Sequence, residues 1–251
     1  MKQSTSYYPL IILCTVLTLN ITNGLFKPTE RGKKYSEYSD KRYKVFLEDE
    51  LGVISAWHDI PLVSSEEAGL YNMVVEIPRF SQAKFEISRD LELNPIIQDQ
   101  SHGANRYLSN VFPWHGHVCN YGAFPQTWEN PFLTDPWTGL RGDKDPIDVC
   151  EVGSDPLQTG SVVPVKVLGI LGVLDGDEAD WKVLVINSKE ADERNLKNLE
   201  DLGREFPGMK ETVRSFFRLY KIPTGGNKTE FAFDGNFQSV DIAEDVIEYD
   251  S

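Results

Sequence analysis

Ser161-Val-Val-Pro-Val-Lys-Val-Leu-Gly-Ile-Leu-Gly-Val-Leu174 runs into Asp175-Gly-Asp-Glu-Ala-Asp180 and then into Trp181-Lys-Val-Leu-Val-Ile186 without a break. The first and third stretches are apolar and rich in β-branched residues, which is the composition of buried strands. The acidic turn lies between them. Upstream the pattern turns strand-like from Tyr43, and Leu70-Tyr-Asn-Met-Val-Val-Glu-Ile77 is β-rich. Ala83-Lys-Phe-Glu-Ile87 alternates, so Lys84 and Glu86 share one face of a strand and Phe85 and Ile87 the other. Helical periodicity comes only late. Asn195–Glu205 spaces Leu196, Leu199 and Leu202, Gly208–Tyr220 carries Met209, Val213, Phe216, Phe217 and Tyr220 on one stripe, and a short helix fits near Asp241–Glu248. Strands first, helices last and no β-α-β alternation predict an α+β fold built on a closed antiparallel barrel.

The chain has 251 residues and a formal net charge of −14, which fits one domain, or one domain with extended arms. That field disfavours nucleic acid as a partner, and a polyanion would need cations concentrated locally. Pro9-Leu-Ile-Ile-Leu-Cys-Thr-Val-Leu-Thr-Leu19, followed by small residues at Thr22 and Gly24, reads as a secretory signal over residues 1–24. An uncleaved apolar tail is the alternative, because the positively charged start is thin. Residues 25–42 read as a polar N-terminal arm and 43–251 as the folded domain. No stretch of the mature chain is long enough to span a membrane. Cys14 falls in the signal, and Cys119 and Cys150 alone make no disulfide framework. The body therefore reads as cytosolic in style, with one bridge left open. The compartment stays divided between secretory or secreted and cytoplasmic. The Asn227-Lys-Thr sequon matters only in the first case.

The chemistry is carried by acids. Asp143-Lys-Asp-Pro-Ile-Asp148 forms one cluster and Asp175, Asp177, Glu178 and Asp180 another. Crowded carboxylates repel, so converging segments need a cation between them, and Mg²⁺ is the simplest hard ion for oxygen ligands. Either cluster alone can be a solvated turn. An EF-hand is excluded, since its sixth position needs Gly and holds Asp148, and its twelfth needs Glu and holds Ser154. Lys84, Arg106, Lys182 and Lys221 are candidate phosphate-binding cations. Lys182 stands two residues past Asp180, so both face one side of a strand. Tyr121 and Tyr220 can donate phenol hydrogen bonds. His115-Gly-His117 lacks the companion spacing of a zinc site. There is no P-loop and no Gly-x-Ser-x-Gly elbow.

Read together, several stretches resemble the soluble inorganic pyrophosphatases of the eukaryotic family I type. They are His58–Leu62, Asn72–Arg79, Ala83–Glu86, Leu93–Asp99, Asn120–Glu129, Gly142–Val149, Asp180–Lys182 and Tyr220–Pro223. The resemblance implies Mg²⁺-dependent hydrolysis of pyrophosphate by a metal-activated water, on an OB-like five-stranded barrel flanked by C-terminal helices, in a homodimer. It implies that Asp143, Asp148 and Asp180 hold a central metal pair, that Glu86 and Asp175 help hold further metals, and that Glu76 lines the cavity. Asp145 would orient and deprotonate the water. Lys84, Arg106, Tyr121, Lys182, Tyr220 and Lys221 would grip the phosphates. One position departs: relatives carry Tyr where this chain has His117, a group that ordinarily titrates near neutrality, so a change in pH dependence is expected. The C-terminal end looks shorter than usual. The rival reading is a catalytically weak homologue that acts as a binding or scaffold subunit.

Overall fold

The structure is a computed structural model, and it describes residues 27–29, 43–64 and 69–251. The signal reading over residues 1–24 lies outside the described residues. Of the arm, only the backbone of Lys27–Thr29 is described, paired with the strand Lys44–Glu48.

Five strands carry the fold: β1 (Tyr71–Ile77), β2 (Asn120–Ala123), β3 (Asp148–Glu151), β4 (Val162–Asp175) and β5 (Glu178–Asn187). β1 pairs with β2, β2 with β3, β3 with β5, β5 with β4, and β4 with β1. The hydrogen-bonded neighbours therefore return to their starting strand. Four of the pairings are antiparallel and β3–β5 is parallel. This corrects the all-antiparallel expectation, and the reason is parity. Strand direction reverses at every antiparallel pair. A circuit of five strands cannot recover its starting direction by reversals alone, so one neighbour must be parallel. The β4–β5 hairpin, paired from Val165↔Asn187 to Asp175↔Glu178 with a register shift between Val167 and Gly169, turns the chain back alongside β3 in the same sense.

Side chains alternate across the ring. One face supplies Met73, Val75, Val149, Val165, Val183 and Val185 to a single core cluster. Ala243, Val246 and Ile247 of the helix Val240–Tyr249 join that cluster. The other face, with Cys150, Leu168, Leu184 and Ile186, packs under three helices: α1 (Ser188–Arg194), α2 (Leu199–Glu205) and α3 (Met209–Leu219). The C-terminal helix becomes α4 in this numbering. α1 was not anticipated, because Ala191 is its one buried residue. The expected Asn195–Glu205 helix starts later, since Asn195 takes a left-handed conformation and the Asn198 side chain caps α2. A smaller sheet of Lys44–Glu48, Ile96–Gln98 and Phe85–Ile87 packs against Val74 and Ala123 of the ring. Among the described residues no helix is long and apolar enough to cross a membrane.

Cys119 and Cys150 are bridged, with Cα atoms 5.6 Å apart and a sequence separation of 31. The one bridge that the cysteine count left open is thus present. The bridge ties the start of β2 to the middle of β3. Closing a loop of that length restricts the unfolded chain, so replacing both cysteines by Ala should lower stability by about 2–4 kcal/mol. Urea unfolding under non-reducing conditions measures this, and an unchanged midpoint would deny the bridge a stabilising role.

Candidate active site

A cleft of about 340 Å³ opens where β3 and β5 meet α3, the Phe85–Ile87 strand and the acidic loop 143–148. Glu76, Lys84, Glu86, Arg106, His117, Tyr121, Asp143, Asp145, Asp148, Asp175, Asp180, Lys182, Tyr220 and Lys221 all line it. A roomier cavity of about 610 Å³, between Phe80, Trp114, Phe206 and Met209, gathers no such set of acids, so volume alone does not locate the chemistry.

The acidic loop is pinned to the segment before it. Gly142 lies so close to Glu129 that a Cβ would meet its carbonyl carbon at 2.1 Å, which reserves the position for glycine. Lys144 N donates to Glu129 O at 3.0 Å, Ile147 N to Thr127 Oγ1 at 2.9 Å, and Asp145 N to Asp143 Oδ1 at 2.9 Å. Asp148 then opens β3 directly opposite Lys182 of β5 in the parallel register. The β1–β2 register slips between Val75 and Ile77, a bulge that re-aims Glu76. Glu76 Oε1 accepts from Ile87 N at 2.6 Å and ties the two sheets together at the cleft.

Lys182 is 3% exposed, and its ammonium donates to both Asp148 and Asp180. The Tyr121 and Phe217 rings stand 5.7 and 5.8 Å from its Nζ. Burial alone would lower its pKa, but the two carboxylates outweigh burial and hold it well above the usual lysine value. Four acids crowd this one ammonium. Burial first, then the neighbouring acids, pushes Asp180 and Glu129 well above the usual carboxylate range and Asp143 up to about 7. Burial, with Asp148 and Glu86 adding and Arg89 opposing, raises Asp145 to about 6. The cluster is short of positive charge. The remaining cations are also paired: Lys84 with Glu86 (2.7 Å) and Asp99 (3.4 Å), Arg106 with Asp99 (2.5 Å), and Lys221 with Asp175.

Glu129 escaped the sequence reading as a site residue. It is buried, its Oε1 accepts from Trp181 N at 2.8 Å, and its Oε2 has no hydrogen-bond partner. Oxygens of Glu129, Asp143 and Asp180 lie within 4.8 Å of one another. Oxygen donors in a charge-deficient, buried group with one orphaned atom fit a hard cation such as Mg²⁺. The available signal was its place at the end of the Asn120–Glu129 motif, where the buried Thr127 and Glu129 alternate with the exposed Gln126 and Trp128. Arg89, Asp99 and Glu178 also border the site or brace it without having been singled out.

His117 is 2% exposed, its Nδ1 lies 3.2 Å from Cys119 O, and its ring is 4.5 Å from Tyr121 and 4.9 Å from Phe216. Burial drops its pKa to about 3. The expectation that it titrates near neutrality is corrected: at physiological pH this imidazole is neutral.

Buried acids facing a rim of cations suit a site for a polyanion carried together with hard metal ions. The inorganic pyrophosphatase family model matches residues 73–250. A protein of Yarrowia lipolytica named inorganic pyrophosphatase is 47% identical over 82% of this chain and 71% of its own length. A mouse protein of the same name is 48% identical over 82% of this chain and 71% of its own. The inorganic pyrophosphatase structure from Schistosoma japonicum superposes with a TM-score of 0.80 at 45% identity, covering 83% of this chain and 74% of that one. The truncated vacuolar soluble pyrophosphatase of Trypanosoma cruzi, solved in complex with PPi, is 33% identical with a TM-score of 0.78, over 99% and 96% of the two chains. The chain belongs to the inorganic pyrophosphatase family, a family of hydrolases.

Proposed function

We propose that this protein hydrolyses inorganic pyrophosphate to two orthophosphates with Mg²⁺ as cofactor, on a ring that we read as an OB-like barrel. One observation carries the reading. A single cleft holds Asp143, Asp148 and Asp180 together with Lys84, Arg106, Lys182 and Lys221, and the buried Glu129 lies against Asp143 and Asp180. Asp143, Asp148 and Asp180, with Glu129 beside them, would hold the central ions, and Asp175 and Glu86 the ions that arrive with substrate. Mg²⁺, when bound, neutralises phosphate charge and makes water more acidic.

The chain's own groups do the rest. Asp145 takes a proton from the water that attacks one phosphorus, while the bridging P–O bond breaks and its electron pair stays with the departing phosphate. Arg106, Lys182 and Lys221 stabilise charge on the phosphoryl oxygens as that bond breaks. Tyr121 and Tyr220 keep their phenol protons, because burial raises both pKa values, so each can donate to a phosphate oxygen. His117, being neutral, adds no charge to this rim.

The test is phosphate release by the purified chain. We expect turnover with pyrophosphate and Mg²⁺, loss of turnover with EDTA, and at least a hundredfold lower kcat/KM with ATP. No release from pyrophosphate would leave the scaffold reading standing. We further infer passage through the secretory pathway, supported by the apolar segment Pro9–Leu19 and by the Cys119–Cys150 bridge. N-terminal sequencing of the mature chain would show cleavage near Gly24 or refute it. The homodimer implied by the resemblance is open to measurement by sedimentation.

A further inference from the structure

Asp145, the proton acceptor in the proposed reaction, is already engaged. Arg89 Nη1 stands 3.0 Å from Asp145 Oδ1, and among the described residues no other cation pairs with that carboxylate. Arg89 comes from the far wall of the cleft, two residues past the Phe85–Ile87 strand that carries Glu86. Its point of departure is firm. Ser88 N donates to Pro95 O at 2.9 Å, Ser88 O accepts from Asn94 Nδ2 at 2.9 Å, and Asn94 is held in turn by Ser55 Oγ at 2.6 Å. The guanidinium therefore reaches across the opening from a fixed base.

Taking both partners together, this is the most exposed ion pair of the cleft. The Arg89 and Asp145 side chains are 48% and 44% exposed, whereas Lys182 is 3% exposed between its two acids. An ion pair in water holds weakly and is readily exchanged. Arginine also presents a planar fork suited to two phosphate oxygens at once.

The geometry points to Arg89 as a further substrate-binding residue, one that pairs with Asp145 and transfers to the outer phosphoryl group when pyrophosphate binds. The transfer uncovers the carboxylate only when substrate is in place. It also adds a cation on the wall where Lys84 and Arg106 are already shared through Asp99. This inference rests on reading the cleft as a pyrophosphate site.

The experiment uses Arg89→Met and Arg89→Lys in the full chain. Each is assayed for pyrophosphate hydrolysis at saturating Mg²⁺, and for calorimetric binding of methylenediphosphonate, whose bridging carbon resists hydrolysis. In Arg89→Met we expect KM to rise about tenfold to a hundredfold and analogue affinity to fall by the same factor, the range for a lost charged hydrogen bond. Arg89→Lys should recover part of both, and unfolding midpoints should stay at the wild-type value. Wild-type KM and analogue affinity in Arg89→Met would overturn the assignment. So would a fall in kcat with both of these unchanged, because Arg89 would then act through Asp145 alone. If the wild type fails to hydrolyse pyrophosphate, the functional reading fails, yet comparison of analogue binding by wild type and Arg89→Met still decides whether Arg89 holds the polyanion.

Discussion

Asp145→Asn should lower kcat for pyrophosphate by about two to four decades, the span expected for a lost general base. The amide keeps the size of the carboxylate. The backbone bond from residue 145 to Asp143 Oδ1 does not involve the changed atoms, so the loop should hold its shape. Asp145 is outside the Glu129, Asp143 and Asp180 group, so half-maximal Mg²⁺ should stay near wild type. What the variant lacks is a group able to accept a proton. Steady-state kinetics across a Mg²⁺ titration separates the cases. Wild-type turnover would end the assignment of Asp145 as base, and a tenfold shift of the Mg²⁺ midpoint would make it a ligand.

The second large effect is expected at Lys182. Among the described residues its buried ammonium alone pairs with both Asp148 and Asp180, and losing one partner of a buried ion pair typically destabilises by about 3–5 kcal/mol. In Lys182→Met, Asp148 and Asp180 would face each other with Asp143 and Glu129 close by. We expect that loss in EDTA and recovery of most of it at saturating Mg²⁺, because a ligand that binds only the folded chain restores stability. Activity should fall at least a hundredfold even with metal, since Lys182 also contacts the phosphates in the proposed reaction. Urea unfolding with and without Mg²⁺ reads the difference. Equal losses in both conditions would mean that the ammonium does not occupy a position a metal ion can replace.

The site was largely legible in the chain. Every site residue that the resemblance implied lines one cleft, because strand patterns and acidic turns place those side chains locally, whereas Asp177 of the second acidic turn does not line it. What stayed hidden depends on contacts between distant segments. Glu129 becomes part of the site only because Trp181, 52 residues further on, takes one of its oxygens and leaves the other bare. Arg89 looks like any exposed arginine until the turn at Ser88 aims it across the opening. His117 carries an ordinary reference pKa in the sequence, and only packing against Tyr121 and Phe216 shows that it stays neutral. Apolar alternation identified the strands but says nothing of their partners, so the parallel seam that sets Asp148 beside Lys182 could not be read from any one stretch.

The bridge between Cys119 and Cys150 also encloses a span of chain. Between those residues lie β2, the exposed Phe132 and Leu133, and the whole acidic loop. A protease cutting at that exposed tip would open the backbone without freeing either piece, because both ends stay covalently tethered. Three of the six acids proposed to hold metal, Glu129, Asp143 and Asp148, thus sit inside a covalent noose, where a single nick need not cost the enzyme its fragments.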